Sequence, residues 1–375
     1  MNLYKTLTGA VDFQLGKKFS PGELSRIQQG IHHHANIACA AEYHGVAPFF
    51  YQFIKEHNLD VPTKTKREFL SLIIRHRHAA DIRAKIISEI LHCFDKYNID
   101  LILLKGIALA YTIYTHPQYR PMRDIDVLVP ESRLAAAKSA LVDMGFVFDD
   151  AQPSIYMGNV HHLPNAVRAE DGLDISLELH HQVYSRDNSV RLGFEQAWKN
   201  ARPIKIHNRN RAFTLDHISM LDHLCRHTFG PADEVRLIHQ FEILKYLHVF
   251  INEIPWSKLH NEHSFIVNTI RCLHFSLALP AQIKQKIDIP ETTRLQGVGQ
   301  SFLPYSKVLA THQTFLSRIA ALFPPSAWWM HVIYNIPPEK TLLCCYLYQH
   351  PKRLVRDLLL RLYYAICQNS MRRLR

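Results

Sequence analysis

Glycine is scarce in this chain, 13 in 375 residues. That scarcity, with long apolar periodic segments, argues for a mostly helical protein rather than a turn-rich all-β one. The seven cysteines (Cys39, Cys93, Cys225, Cys272, Cys344, Cys345 and Cys367) form no C-x-x-C pair. An odd, unframed set excludes a disulfide scaffold and a zinc ribbon. The first residues, Met1-Asn2-Leu3-Tyr4-Lys5, lack the apolar core of a secretory signal. Both features set the expectation of a reducing, cytoplasmic setting. No run reaches about 18 uncharged apolar residues, which argues against a membrane-spanning helix. RNA-binding and helix-turn-helix signatures, internal repeats and low-complexity tracts are also missing.

What is present begins with charge. The formal net charge is +11, a balance that suits polyanionic partners: nucleotides, nucleic acid or anionic lipid. The surplus is uneven. Between Lys352 and Arg375 there are seven Lys/Arg against one acid, Asp357. The stretch Arg353 to Tyr364 is basic and amphipathic. Such a helix either lies peripherally on an anionic membrane or packs its apolar stripe on the protein and exposes its charges.

At 47% hydrophobic content the chain can bury a large core, and its patterning divides it into three parts. Residues 1–85 read as helical, with Ser20-Pro21-Gly22-Glu23 as a helix start. Residues 86–205 alternate. The expected order is helix (Ile86 to Tyr97), strand (Asp100 to Leu104), helix (Ile107 to Tyr114), strand (Asp124 to Val129), helix (Ser132 to Met144), strand (Phe146 to Asp149) and a hairpin turning at Asp171-Gly172. Ser132 is the expected cap of the third helix and Gly145 its end. Residues 206–375 read as helical again, with breaks at Phe229-Gly230-Pro231, Ile254-Pro255, Phe323-Pro324-Pro325, Ile336-Pro337-Pro338 and His350-Pro351. The class expected is α+β.

The chemistry concentrates between Asp100 and Pro130. Asp124 and Asp126 stand two apart in an apolar strand, so they share one face. Two like charges side by side are costly unless neutralised. A divalent ion with oxygen ligands, Mg²⁺ or Mn²⁺, is the usual solution. A solvated strand face carrying two unrelated acids is the plain alternative. Upstream, Leu104-Lys105-Gly106 joins a buried strand to a helix start, where a glycine allows close backbone approach and free N–H groups face an anion. Arg120 and Arg123 add cations beside the acids. Downstream, alternation in Leu173–His180 puts Asp174, Ser176, Glu178 and His180 on one face. Plainer roles stay open for Lys105 (a surface lysine), Arg120 (an ion pair with Asp124 or Asp126) and Glu178 (a solvated strand residue).

In combination these segments resemble the nucleotidyltransferase superfamily with the polymerase-beta-type fold. They look most like a bacterial branch carrying Leu-Lys-Gly and Arg-Pro-x-x-Asp-x-Asp motifs, here Leu104-Lys105-Gly106 and Arg120 to Asp126. Glu178-Leu179-His180, Leu221 to His227, Arg236-Leu237 to Glu242 and Ala41 to Pro48 extend the resemblance over residues 40–245. It departs in two places: Glu242 stands where Asp is expected, and the Gly-Ser pair of active members is absent.

The resemblance implies a mixed sheet with helices, flanked by helical regions. It implies transfer of an NMP from an NTP to an acceptor hydroxyl on a small molecule, a protein or RNA. Asp124, Asp126 and Glu178 would be catalytic and metal-binding, with Mg²⁺ or Mn²⁺. Lys105, Gly106, Arg120 and Arg123 would hold the phosphates. His180 and His227 would lie at the rim, the latter sharing a helix face with His223. Two other readings use the same residues: a catalytically silent nucleotide-binding regulator, and a basic protein that binds membrane or nucleic acid.

Overall fold

The computed structural model describes residues 3–149, 161–184, 190–206, 209–229, 236–289, 314, 316, 326–356 and 359. Four helices open the chain: α1 (Leu3–Gln14), α2 (Pro21–His33), α3 (Ile37–Tyr43) and α4 (Ala47–Glu56). α2 starts as the sequence reads. Ser20 is its N-cap and Pro21 its first residue, and a capping box closes between the Ser20 hydroxyl and Glu23, whose carboxylate accepts from the Ser20 N–H at 2.9 Å. α5 (Thr63–Lys96) then runs 34 residues. A separate helix from Ile86 was expected. Instead the helix is continuous, because no Gly or Pro interrupts it and Phe69, Ile82, Ile86, Ile90 and Phe94 keep a helical spacing on the buried side. It passes through residue 85 without a break.

The αβ part follows as β1 (Ile102–Leu103), α6 (Lys105–Thr112), β2 (Asp124–Leu128), α7 (Leu134–Asp143), β3 (Val147–Phe148), β4 (Ala166–Glu170) and β5 (Leu173–His180). After α8 (Phe194–Trp198), a hairpin of β6 (Arg202–Ile206) and β7 (Arg209–Thr214) completes the sheet. The order is β3-β4-β5-β2-β1-β7-β6. β2–β5 and β1–β7 are parallel and the other pairs antiparallel. The architecture is therefore α+β with a mixed sheet and flanking helices, as expected. Residue 205 lies within β6.

The β4–β5 hairpin turns on Asp171 (φ 46°) and Gly172 (φ 78°), two left-handed residues in succession, the requirement of a tight two-residue turn whose twist matches the strands. Gly145, at φ 88°, ends α7 as expected. Ser132 does not cap α7. Residues Glu131–Arg133 form a single 3₁₀ turn first, and α7 starts at Leu134 with no side-chain cap.

The C-terminal helices are α9 (His217–Phe229), α10 (Leu237–Val249), α11 (Trp256–Glu262), α12 (Ser264–Leu273), α13 (Ala281–Lys284) and a helix over Ala327–Ile333. Ile254-Pro255 breaks the chain before α11 as read. The break expected at His350-Pro351 is absent. A π turn over Cys345–Gln349 precedes the proline, and the His350 N–H reaches back to the Cys345 carbonyl. That wider turn gives the proline ring room inside a continuing helix. The expected breaks at Phe229-Gly230-Pro231 and Phe323-Pro324-Pro325 lie at or outside the limits of the described residues, as does most of the basic segment 352–375. Leu347 just before this segment and Val355 and Leu359 within it are exposed. No helix among the described residues is long and apolar enough to cross a membrane. Buried apolar side chains form one continuous cluster from Leu7 to Cys345.

The hairpin supplies a direct test of the local reading. Gly172→Val forces a β-branched residue into the left-handed region and is expected to cost about 1–2 kcal/mol, read as a lower urea midpoint with an unchanged slope.

Candidate active site

Parallel pairing sets β2 against β5 in a fixed register: Asp124 opposite Ser176, Asp126 opposite Glu178, Leu128 opposite His180. Side chains alternate along both strands, so these carboxylates and the His180 imidazole meet on one face. Asp126 Oδ1 accepts from Lys105 Nζ at 2.8 Å and lies 3.1 Å from His180 Nε2. Glu178 Oε2 lies 3.3 Å from the same imidazole nitrogen and 3.9 Å from the Lys105 ammonium. The ligand atoms of Asp126, Glu178 and His180 all fall within 4.8 Å of one another. Asp124 stands one strand repeat away on the same cavity wall. His180, expected at the rim, is instead fully buried beneath the acids, and its Nδ1 has no partner.

The electrostatics separate the acids. Burial opposes ionisation of Asp126, but Lys105 and His180 outweigh it and hold the carboxyl well below its ordinary value. Glu178 is lowered in the same way, burial being offset chiefly by the His180 hydrogen bond. The same contacts overcome burial at Lys105 and at His180 and raise both. Asp124 moves the other way: burial raises it, and Asp126 and Glu178 add repulsion.

Lys105 opens α6 with φ 39°, a left-handed conformation uncommon for a residue with a side chain. Gly106 follows. A Cβ there would come within 2.9 Å of the Arg120 guanidinium, so this glycine makes room for Arg120 to cross behind α6. Arg120 donates from Nε to Glu242 Oε1 at 2.7 Å, from Nη2 to Glu242 Oε2 at 3.2 Å and from Nη1 to the Pro121 carbonyl at 2.6 Å. The Tyr114 hydroxyl donates to the same carboxylate at 3.0 Å. The partner of Arg120 is therefore Glu242, not Asp124 or Asp126. Arg123 is exposed on the cavity wall.

Lys105, Gly106, Arg120, Arg123, Asp124 and Asp126 line a cavity of about 830 Å³ between α5, the strand tips, α9 and α10. Asp222 fixes one wall by accepting from the Tyr184 hydroxyl and from Arg226 Nε, each at 2.7 Å. Glu42 fixes another by pairing with Arg75 and, at 2.7 Å, with His76. His223, His227 and His239 line the interior, the last two with ring centroids 4.8 Å apart. His227 keeps an exposed edge in the cavity, where desolvation by the surrounding walls, then the positive charge of Lys105, pushes it down to about 4. The segment around residue 44 reaches α10 directly: the Ile238 N–H donates to the His44 carbonyl at 3.0 Å and Arg236 Nε to that of Tyr43 at 2.6 Å. Sequence reading missed Arg83, His161 and His239 as cavity residues. Arg83 had a usable signal, since it lies four and eight residues beyond Ala79 and Arg75 on one face of α5.

By its family the chain is a transferase. The chain belongs to the family described as uncharacterised nucleotidyltransferase, whose model matches residues 33–280. No curated protein matches the chain. Two solved structures share a weak likeness. One is the solution structure of the antibiotic-resistance factor ANT(2'')-Ia, at 15% identity and TM-score 0.33, covering 47% of this chain and 86% of that one. The other is the crystal structure of ANT(2'')-Ia with adenylyl-2''-tobramycin, at 14% identity and TM-score 0.33, covering 44% and 88%.

Two outcomes follow from the charges. Histidine titrates near 6.5 when unfolded, whereas half-buried His44 sits near 4. Between those values the unfolded chain binds more protons, so stability falls as pH drops from about 6.5 toward 4, by roughly 1 kcal/mol per pH unit per group at the steepest point. Melting curves at pH 7 and pH 5 measure this, and His44→Gln is expected to flatten the slope. Glu242→Ala strands the buried Arg120 charge and is expected to cost about 3–5 kcal/mol. Arg120→Met/Glu242→Leu is expected to recover part of that in urea denaturation.

Proposed function

We propose that this chain moves an NMP from an NTP to an acceptor hydroxyl, with a divalent ion at Asp126, Glu178 and Asp124. The observation that carries the reading is the side-by-side register of Asp126 and Glu178, with Asp126 and Asp124 lining a cavity roomy enough for a nucleotide. The donor set fits Mg²⁺ or Mn²⁺, since carboxylate oxygens from two neighbouring strands converge there and already hold a cation, the Lys105 ammonium. When bound, such an ion stabilises charge on the phosphoryl oxygens and lowers the pKa of the attacking hydroxyl.

The chain's own residues divide the remaining work. His180 holds Asp126 and Glu178 in place from below through its Nε2 contacts. Lys105 supplies positive charge at the helix start where the phosphates would lie. The acceptor's proton would pass to a carboxylate of this cluster, where Asp124 stands beside Asp126 and Glu178. The acceptor oxygen bonds to the α-phosphorus, the bond to the β-phosphate bridge breaks, and pyrophosphate leaves with its electron pair. A small molecule, a protein or RNA would each supply such a hydroxyl.

The test is thermal shift with each of the four NTPs, with and without Mg²⁺ or Mn²⁺, on wild type and on Asp124→Asn/Asp126→Asn. A ligand that binds only the folded state at 100 times its Kd stabilises by about 2.7 kcal/mol. The expected result is a metal-dependent rise in Tm that the double variant loses. A rise that survives in the double variant would remove the acids from the binding site. Tight binding with no turnover across acceptor classes would turn the reading to a nucleotide-sensing regulator.

A further inference from the structure

The wall formed by α5 carries one charged group that the reading above leaves idle. Arg75, His76, Ala79 and Arg83 face the cavity from one side of that helix. Arg75 and His76 are neutralised together by Glu42. Arg83 is not. Its Nη2 donates to the Met122 carbonyl at 2.6 Å, its Nε is buried with no partner, and no carboxylate among the described residues lies within ion-pair distance of it. Burial pushes its pKa down to about 10, with repulsion from Arg120 added and Asp124 pulling the other way. It is still fully charged at neutral pH.

A mostly buried guanidinium with no counter-ion, near enough to a second guanidinium to be repelled, is unfavourable in the empty protein. It becomes favourable when an anion enters, because the planar fork fits phosphate oxygens and needs little reorganisation. Arg120 has less to offer, since Glu242 already balances its charge and Glu242 and the Pro121 carbonyl engage three of its five N–H groups. We propose that Arg83, rather than Arg120, is the guanidinium that receives the phosphate chain of the nucleotide, so that the cavity holds a polyphosphate subsite between α5 and the start of α6. The inference rests on the nucleotidyl-transfer reading but not on the metal: the subsite works through fixed positive charge alone.

The test is isothermal titration of inorganic tripolyphosphate, in EDTA at fixed salt, into wild type, Arg83→Lys and Arg83→Met. Wild type is expected to bind, Arg83→Met to bind about tenfold or more weakly, and Arg83→Lys to fall between, since it keeps the charge and loses the fork. Melting of the unliganded proteins separates ligand binding from structure. Because the variant removes an unpaired charge, the Tm of Arg83→Met is expected to match or exceed that of wild type while its anion affinity falls. Equal affinity in all three proteins, no binding by wild type, or a joint loss of Tm and affinity in Arg83→Met would overturn the assignment. None of these outcomes bears on the metal-dependent shift, which fails or holds with Asp124 and Asp126.

Discussion

β2 and β5 run parallel with Asp126 opposite Glu178, and Lys105 and His180 are arranged around that contact. A one-residue slip in the pairing would send one of the two carboxylates to the other face of the sheet. Placed side by side and buried, they demand compensation, and the protein supplies it from two directions. Lys105 arrives from the strand-to-helix turn, and His180 from two residues further along β5. The left-handed backbone at Lys105 is understandable in this light: strain at one residue is offset by an ammonium delivered onto two buried acids.

The second organising contact joins parts of the chain far apart in sequence. Arg120 lies just before β2 and Glu242 in the middle of α10, and their pair brings the C-terminal helices over the central strands that carry the acids. Tyr114, packed on Phe49 and Phe241, donates to the same carboxylate. Helices from the N-terminal part, the αβ part and the C-terminal part therefore meet at one carboxylate. The cavity has acids on its sheet floor, cations on its helical walls and neutral imidazoles between them. That distribution suits a ligand with one strongly anionic end and a less charged remainder.

Local features were legible in the sequence because their causes are local. The capping box of α2, the left-handed end of α7 at Gly145 and the Asp171-Gly172 hairpin each depend on a few adjacent residues. The shared faces of Asp124 with Asp126 and of Glu178 with His180 follow from strand periodicity. What could not be read was pairing across distance. Arg120 sits beside two acids in sequence yet binds a third, 122 residues away. His180 looks like a rim residue until the parallel pairing places it under the acids. Arg83 sits in a long helix whose amphipathic pattern makes any basic residue look solvent-facing. The continuity of α5 and of the helix through Pro351 was missed for a related reason: a proline or a change of pattern marks a possible break, and packing or a π turn decides whether the break occurs.

α5 has a mechanical consequence. At about 1.5 Å per residue its 34 residues extend about 50 Å. One half packs on α3 and α4 and carries the cavity residues from Arg75 to Arg83. The other is riveted to the sheet through Lys85 with Glu170 and Glu89 with Arg168. A single unbroken rod spanning both leaves no hinge between the N-terminal helices and the strands. α10 is tied to the same frame through the Ile238–His44 and Arg236–Tyr43 contacts, so the walls of the cavity on either side of the acids share one support.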